Sequence, residues 1–68
     1  MPVARVTEII ASSKESFEDA VRKGVKRSGK TLKNVRGAWV DGQKVTVDSD
    51  GHISEYRVIL KVTFVLED

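Results

Sequence analysis

Every second residue is apolar over an eleven-residue run near the end of the chain: Tyr56, Val58, Leu60, Val62, Phe64 and Leu66. Strict alternation predicts a β-strand with one apolar face, here about twice the usual strand length. The opposite face is a mixture of apolar, basic and polar residues: Arg57, Ile59, Lys61, Thr63, Val65 and Glu67. One helix cannot cover so long a strand, so we expect a second copy of the chain to cover the rest.

One helix is predicted between two earlier strands. The first strand spans residues 3–10, and Ser12 with Glu15 has the form of a capping box, with Ser13 as an alternative cap. Small or apolar residues then recur at helical spacing: Phe17, Ala20, Val21, Gly24, Val25 and Ser28. Gly24 costs about 1 kcal/mol relative to alanine, which indicates close approach of a strand or a neighbouring subunit. The helix stops at Gly29 or extends its last turn to Leu32.

The remaining segments complete a β-α-β-β order. A second strand is predicted over residues 35–47, the sequence from Asp48 to Gly51 is typical of a turn, and Ile53 begins the long third strand. A right-handed crossover makes the first two strands parallel, and a hairpin makes the last two antiparallel. The most regular apolar strand belongs in the centre. We therefore predict an α+β fold in which a three-stranded sheet of order 1-3-2 wraps on one helix and leaves one face uncovered.

The 68 residues predict a single domain over 1–68. A chain this short buries only about 60% of its unfolded surface, so a disulfide, a metal or a partner is needed for stability. There are no cysteines, and the single histidine, His52, cannot build a zinc site alone. Self-association is the remaining source of stability. The first residues lack the apolar core of a signal peptide and no run could span a bilayer, so we expect a cytoplasmic protein with no membrane partner.

The net charge is only +2, yet the charges are segregated along the chain. Seven basic residues and no acidic one occur between positions 22 and 36: Arg22, Lys23, Lys26, Arg27, Lys30, Lys33 and Arg36. Such a run could bind nucleic acid. No nucleic-acid-binding motif accompanies it, and a solvated helix face that complements the helix dipole explains the same residues. We therefore do not expect a nucleic-acid partner.

The second strand holds the best candidate for a ligand site. Simple alternation places Val35, Gly37, Trp39, Asp41 and Gln43 on one side, and Arg36, Ala38, Val40, Gly42 and Lys44 on the other. Trp39, with Gly37 two residues earlier on the same face, could form the floor of a pocket for a planar ligand. The alternative is that Trp39 packs in a subunit interface, where Trp is enriched.

Metal and catalytic sites have weaker support. Asp48, Asp50 and Glu55 around Gly51 resemble part of a calcium loop, but Thr46 stands where a further acid is required, and a hairpin turn explains these residues as well. No Ser/His/Asp or Cys/His set exists. Asp41 and Glu55 could be imagined as a general-base pair, but nothing supports it. We therefore predict a protein that is not an enzyme and assign no metal ligands.

Several short segments resemble the dodecin family over essentially the whole chain. They are residues 13–17 (SKESF) leading to Ala20, then Arg27, residues 31–32 (TL), 34–35 (NV), 55–56 (EY) and 62–67 (VTFVLE). Dodecins are small β-α-β-β proteins that assemble into hollow dodecamers. Many bind pairs of flavins and are thought to sequester the flavin rather than use it in catalysis. The resemblance thus implies a homododecamer that binds a flavin-type ligand such as FMN or riboflavin.

The flavin-site residues of the family match this chain only in part. A Trp early in the second strand stacks on the flavin ring in flavin-binding dodecins, and the matching position here is Gly37. Trp39 lies two residues later on the same face, about 7 Å along the strand. The Gln that hydrogen-bonds the flavin falls at Arg57, and the basic residue suited to a phosphate is retained as Lys44. The implied ligand set is thus Gly37, Trp39, Lys44 and Arg57. The alternative is a family branch that keeps the shell without flavin, as a structural or calcium-binding protein.

Overall fold

The computed structural model describes residues 3–67 and arranges them as three strands and one helix. The elements are β1 (Ala4–Ser13), α1 (Phe17–Thr31), β2 (Val35–Val47) and β3 (Ile53–Val65). β3 is the central strand and pairs antiparallel with both β1 and β2, which gives the sheet order β1-β3-β2. The predicted α+β class, element order and strand order are confirmed. Residues 1, 2 and 68 of the predicted domain 1–68 lie outside the described residues.

The core lies between α1 and one face of β3. Val58, Leu60 and Val62 on that face and Ala20 on the helix are fully buried. The ring of Phe17, at the start of the helix, packs edge-on against Tyr56 with centroids 5.1 Å apart. The alternating apolar residues thus face the helix, as their period of two requires. Leu66 lies beyond the end of β3, is 39% exposed, and donates its backbone N–H to the Val3 carbonyl.

Gly24 is the closest point between the helix and the sheet. A Cβ atom at this position would lie 2.7 Å from Leu60 Cδ1 and 2.9 Å from Ala11 Cβ. Both distances are shorter than real carbon–carbon contacts, so only glycine allows the helix to approach this closely. Close approach of a strand, one of the two reasons predicted for Gly24, is therefore confirmed. Val25 of the predicted apolar stripe is 37% exposed and lies outside the core.

The N-cap of the helix lies four residues later than the first predicted cap, Ser12. Ser16 is the N-cap, because its Oγ accepts the backbone N–H of Asp19 at 3.0 Å. β1 continues to Ser13, beyond the predicted strand end, and this carries Ser12 into the sheet. Ser13 is buried, and its Oγ accepts the N–H of Glu15 at 2.9 Å. The predicted cap at Ser12 or Ser13 is therefore wrong, although Ser13 does bind the backbone just before the helix.

Asp19 joins this N-terminal network to the first turns of the helix. Its Oδ2 atom accepts a hydrogen bond from Ser13 Oγ at 2.5 Å and lies 2.9 Å from Lys23 Nζ. The hydrogen bond from Ser13 is the main cause that lowers the pKa of Asp19, and the hydrogen bond from Lys23 is the second. The Asp19 carboxylate in turn raises the pKa of Lys23. The negative charge also faces the positive end of the helix dipole.

The end of the helix follows the longer of the two predictions. The helix runs through Gly29 to Thr31, and the N–H of the C-cap residue, Leu32, donates to the Ser28 carbonyl at 2.8 Å. Asn34 then adopts the left-handed conformation, with φ 61°, which Asn tolerates better than most residues. Its side-chain amide donates to the Val65 carbonyl at 3.3 Å. These contacts turn the chain from the helix into β2.

Candidate functional site

The face of the sheet that points away from α1 is not covered by any described element. Directly opposed residues on antiparallel strands share a face, so the strand registers define its members. We call it the open face; its members include Val6, Glu8, Ile10 and Ser12 of β1, Arg57, Ile59, Lys61 and Thr63 of β3, and Gly37, Trp39, Gly42 and Lys44 of β2. Three large apolar side chains on it are strongly exposed: Ile10 is 70%, Trp39 61% and Val6 48% exposed.

Two irregularities in β2 change which side chains reach the open face. The register with β3 shifts between Val35 and Gly37 and again between Val40 and Gly42. Each shift inserts one extra residue into β2, as in a β-bulge. Simple alternation predicts that Lys44 and Trp39 lie on different faces of the sheet. This prediction is wrong, because the extra residue, Asp41, returns Lys44 to the open face, where Trp39 also lies. Gly42 moves to the open face in the same way, whereas Gln43 and Val35 move to the helix side.

Gly37 and Trp39 line one shallow cavity on the open face. The cavity has a volume of about 350 Å³, and Thr63 and Arg36 also contribute to it. Apart from the two neighbouring residues in the chain, no atom lies within 4 Å of the position that a Cβ on Gly37 would occupy, so this part of the cavity is open. The predicted shared face of Gly37 and Trp39 is confirmed by their pairing with Thr63 and Lys61.

Lys44 and Arg57 line a second cavity on the same face. It has a volume of about 260 Å³, with Ile10, Gly42 and Ile59 among its walls. Lys44 and Arg57 are directly opposed in the ladder, and like charges in this arrangement repel. Arg57 bonds to the Glu55 carboxylate at 2.9 Å through Nη2, whereas the ion pairs among the described residues do not include Lys44. An anion bound between the two cations would relieve the repulsion.

The four predicted ligand residues therefore share a face but occupy two cavities. Trp39 lies opposite Lys61 and Lys44 opposite Arg57, a separation of four β3 residues or about 13 Å along the strand. A ligand that contacts all four must be elongated, with a planar group at Trp39 and an anionic group at Lys44 and Arg57. Ile10, the apolar wall that β1 contributes, could not be predicted as part of the site, because no local signal in β1 indicates which residue of β2 lies near it.

Two of the three acids that resemble part of a calcium loop, Asp48 and Asp50, lie in a hairpin turn. Asp48 Oδ1 accepts the backbone N–H groups of Asp50 and His52 at 2.9 and 3.0 Å, and Gly51 adopts φ 82°. The alternative interpretation as a turn is thus confirmed. Glu55 lies outside the turn and bonds to Arg57 instead. Asp48, Asp50 and His52 form an exposed group whose potential ligand atoms lie within 4.8 Å of one another. His52 was not among the acids that resemble a calcium loop.

The two carboxylates considered as a general-base pair each lie beside a cation. Asp41 is 3.7 Å from Lys61 Nζ, and Glu55 bonds to Arg57. Within the basic run, Arg22 pairs with Glu18 and Lys23 with Asp19, one helical turn apart. In the described part of the chain, no helix is both long enough and apolar enough to cross a membrane.

Comparison with known proteins places this geometry in context. The family model described as Dodecin matches residues 3–67. A protein named calcium dodecin from Mycobacterium tuberculosis is 39% identical over 94% of this chain and 89% of its own length. A dodecin from Thermus thermophilus is 32% identical over 97% of this chain and 94% of its own length.

Solved structures agree with these relatives. The dodecin from Streptomyces davaonensis superposes with a TM-score of 0.93 at 33% identity and covers 98% of this chain and 97% of its own. A structure of calcium dodecin from Mycobacterium tuberculosis has a TM-score of 0.83 at 37% identity, and it covers 96% of this chain and 91% of its own. It is described as a calcium-chelating antigen with a novel calcium-binding site.

Proposed function

Because this chain belongs to the dodecin family, we propose that it is a small-ligand binding and storage protein of the cytoplasm rather than an enzyme. Its single domain, residues 1–68, assembles with copies of itself into a hollow homododecamer that sequesters FMN or riboflavin. The observation that carries the ligand assignment is the position of Trp39, Lys44 and Arg57 on one open face. A planar aromatic surface and two cations on the same face match a planar ligand with an anionic end.

Self-assembly is supported by the apolar surface that one copy leaves exposed. Val6 and Ile10 expose about half or more of their surface on one side of the sheet. Exposed apolar groups on a single face mark interaction surfaces. Covering this face with another copy adds burial to a core that is small for a folded domain.

Ligand binding is supported by the state of the two cavities. The indole of Trp39 is exposed, and no described side chain stacks on it within the chain, so it is free to stack on a planar ring. Lys44 lies opposite Arg57, and the phosphate of FMN would neutralise this cationic pair. Gly37 occupies the position of the usual stacking Trp, so we expect the flavin ring to lie further along β2, at Trp39.

Titration of the purified protein with riboflavin and FMN tests the proposal. Binding is expected to quench the flavin fluorescence at micromolar protein, with FMN bound more tightly than riboflavin because only FMN carries a phosphate. Native mass spectrometry of the protein without added ligand should give a dodecamer and reports any retained small molecule. Unchanged fluorescence of both flavins in the presence of an intact dodecamer would exclude the flavin assignment while leaving the shell.

A second candidate function is a structural or calcium-binding shell without flavin. Two observations favour it: a relative with 39% identity is named calcium dodecin, and Gly37 replaces the usual stacking residue. This function predicts a colourless protein as purified and a melting temperature that rises with calcium, because a ligand that binds only the folded state stabilises it. Magnesium at the same concentration is the control. No rise with either ion would exclude the calcium assignment.

A further inference from the structure

We propose that the outer surface of α1 binds the phosphate backbone of a double-stranded nucleic acid, without regard to its base sequence. This surface, here called the lysine face, consists of Lys26, Gly29 and Lys30, and Lys33 follows just beyond the helix end. The basic run of residues 22–36 does not by itself favour such a partner. The reason to propose it is where the fold places these residues. The lysine face lies on the other side of the domain from the open face, so this proposal is independent of the proposed ligand.

The lysine face points away from the sheet. The buried residues of α1 are Ala20, Gly24 and Ser28. Lys26 is two residues from both Gly24 and Ser28, which is a rotation of about 200° around the helix axis, so it lies opposite the buried stripe. Lys30 follows one turn later on the same side, and both lysines are exposed. Their positive charges therefore face solvent, where a large partner can reach them.

The two halves of α1 differ in how their charges are balanced. In the first half, two cations each pair with an acid one turn earlier: Arg22 with Glu18 and Lys23 with Asp19. The second half has no acid, and the ion pairs among residues 3–67 do not include Lys26, Lys30 or Lys33. Lysines one turn apart repel each other and destabilise a helix. An anion that contacts both of them would remove this repulsion.

The helix dipole explains only part of this positive charge. Its effect is confined to the last turn of a helix, and the basic residue in the last turn of α1 is Lys30. Lys26 lies before that turn, so the dipole does not account for it. A solvated helix face accounts for an exposed lysine at this position, but it does not account for the glycine beside it.

Packing within the chain does not explain that glycine, Gly29. It lies inside the helix, which continues to Thr31, and glycine is a poor helix former. Apart from its chain neighbours and the backbone of the helix itself, no atom lies within 4 Å of the position that its Cβ would occupy. Its φ is also ordinary, because Gly51 is the glycine with positive φ among the described residues. A missing side chain between Lys26 and Lys30 lets a large partner approach the helix backbone closely.

The composition of the lysine face favours a duplex as the partner. Lysines bind nucleic acid by neutralising its phosphates. Binding of a single strand requires exposed aromatic rings on which bases stack, but the aromatic residue of α1, Phe17, packs on Tyr56. Insertion into a membrane surface requires apolar residues on the exposed helix face, and the lysine face has none. It also has no Asn or Gln to read adenine, so we expect contact with phosphates and no strong sequence preference.

Fluorescence anisotropy with labelled duplexes tests the proposal. The probes are two DNA duplexes of unrelated sequence, each of about 30 base pairs, in a buffer with about 50 mM salt. We expect the wild type to bind both with affinities that agree within about three-fold, because phosphates carry no sequence information. The affinity should fall steeply as the salt concentration rises, because each neutralised phosphate releases counterions.

Three variants locate the contact. Lys26→Gln/Lys30→Gln should lower the affinity at least about ten-fold and reduce the slope of log affinity against log salt by about two for each subunit in contact. Arg5→Gln/Lys14→Gln is the matched control, because it removes the same charge from exposed positions outside α1; it should leave the affinity nearly unchanged. Gly29→Gln changes no charge and suits a helix better than glycine. Its side chain should hold the duplex away and lower the affinity about three-fold, roughly the loss of one phosphate contact.

Circular dichroism and native mass spectrometry of each variant check that the fold and the assembly persist. If the control loses as much affinity as Lys26→Gln/Lys30→Gln, net charge alone attracts the duplex and the proposal is wrong. The same conclusion follows if the wild type does not bind either duplex at low salt, or if Gly29→Gln binds as tightly as the wild type. Binding to vesicles of equal parts phosphatidylglycerol and phosphatidylcholine, without binding to the duplexes, would assign the lysine face to a lipid surface instead. The flavin titrations are separate measurements, so failure of this proposal leaves the proposed function untouched.

Discussion

Lys44 and Arg57 lie directly opposite each other across β2 and β3, on the face of the sheet that the helix leaves open. Two cations in this position repel unless an anion lies between them. Asp41 determines this arrangement although it is not part of the cavity, because the extra residue in β2 turns Lys44 to the open face. We therefore expect the pair to distinguish ligands that carry a phosphate from ligands that lack one.

Lys44→Gln should weaken the binding of FMN and leave that of riboflavin nearly unchanged. One exposed charge interaction contributes about 1 kcal/mol at most, so we expect FMN affinity to fall up to roughly five-fold at low salt. Fluorescence titration of both flavins measures the difference. Lys26→Gln, on the exposed side of the helix, is the control. Equal losses for the two flavins would show that Lys44 does not contact the phosphate.

Trp39→Ala should lower flavin affinity while the oligomer persists. An aromatic stacking contact contributes about 1 kcal/mol or more, so affinity should fall at least roughly five-fold, and Trp39→Phe should keep most of it. Flavin titration and native mass spectrometry measure the two properties separately. If instead the subunits dissociate while the affinity per intact assembly is unchanged, Trp39 belongs to the subunit interface.

Gly24→Ala should destabilise the protein although alanine is the better helix former. The new methyl would overlap Leu60 Cδ1 and Ala11 Cβ, and overpacking of a core costs about 1–3 kcal/mol, which exceeds the gain of about 1 kcal/mol in helix propensity. Gly29→Ala is the matched control, because no atom lies within 4 Å of its Cβ position; it should stabilise. Urea unfolding at one fixed protein concentration compares them. A higher midpoint for Gly24→Ala would contradict the close packing.

Asp19→Asn should remove a stabilisation that depends on pH. The hydrogen bond from Ser13 and the pair with Lys23 hold the pKa of Asp19 below its ordinary value of 3.8. The ionised carboxylate therefore stabilises the fold at pH values above 3.8, and this contribution is lost as the pH falls through the lower pKa of the folded state. Melting temperatures of both proteins from neutral to strongly acidic pH measure it. A difference that stays constant over the whole range would mean that Asp19 acts without its charge.

Most of the fold was predictable because it follows from local patterns. Alternation from Tyr56 to Leu66 indicated a central strand, the helical spacing of Phe17, Ala20 and Gly24 indicated a single helix, and the sequence from Asp48 to Gly51 indicated a hairpin turn. Each of these patterns reflects burial of one face, which the order of residues alone encodes. The start of the helix was less predictable, since Ser12, Ser13 and Ser16 are all good caps and only the length of β1 decides among them.

The sequence by itself determined that the chain forms a β-α-β-β sheet with one uncovered face, and that Gly37, Trp39, Lys44 and Arg57 are candidates for a site. Only the tertiary structure decided which of them share that face. A prediction from alternation assumes that every residue of β2 has a partner in β3. Arg36 and Asp41 have no opposed partner in β3. After each of them, the side chains of β2 therefore point to the other face of the sheet from the one that alternation predicts. Such bulges arise from the fit between two strands that are distant in sequence, so neither strand alone reveals them.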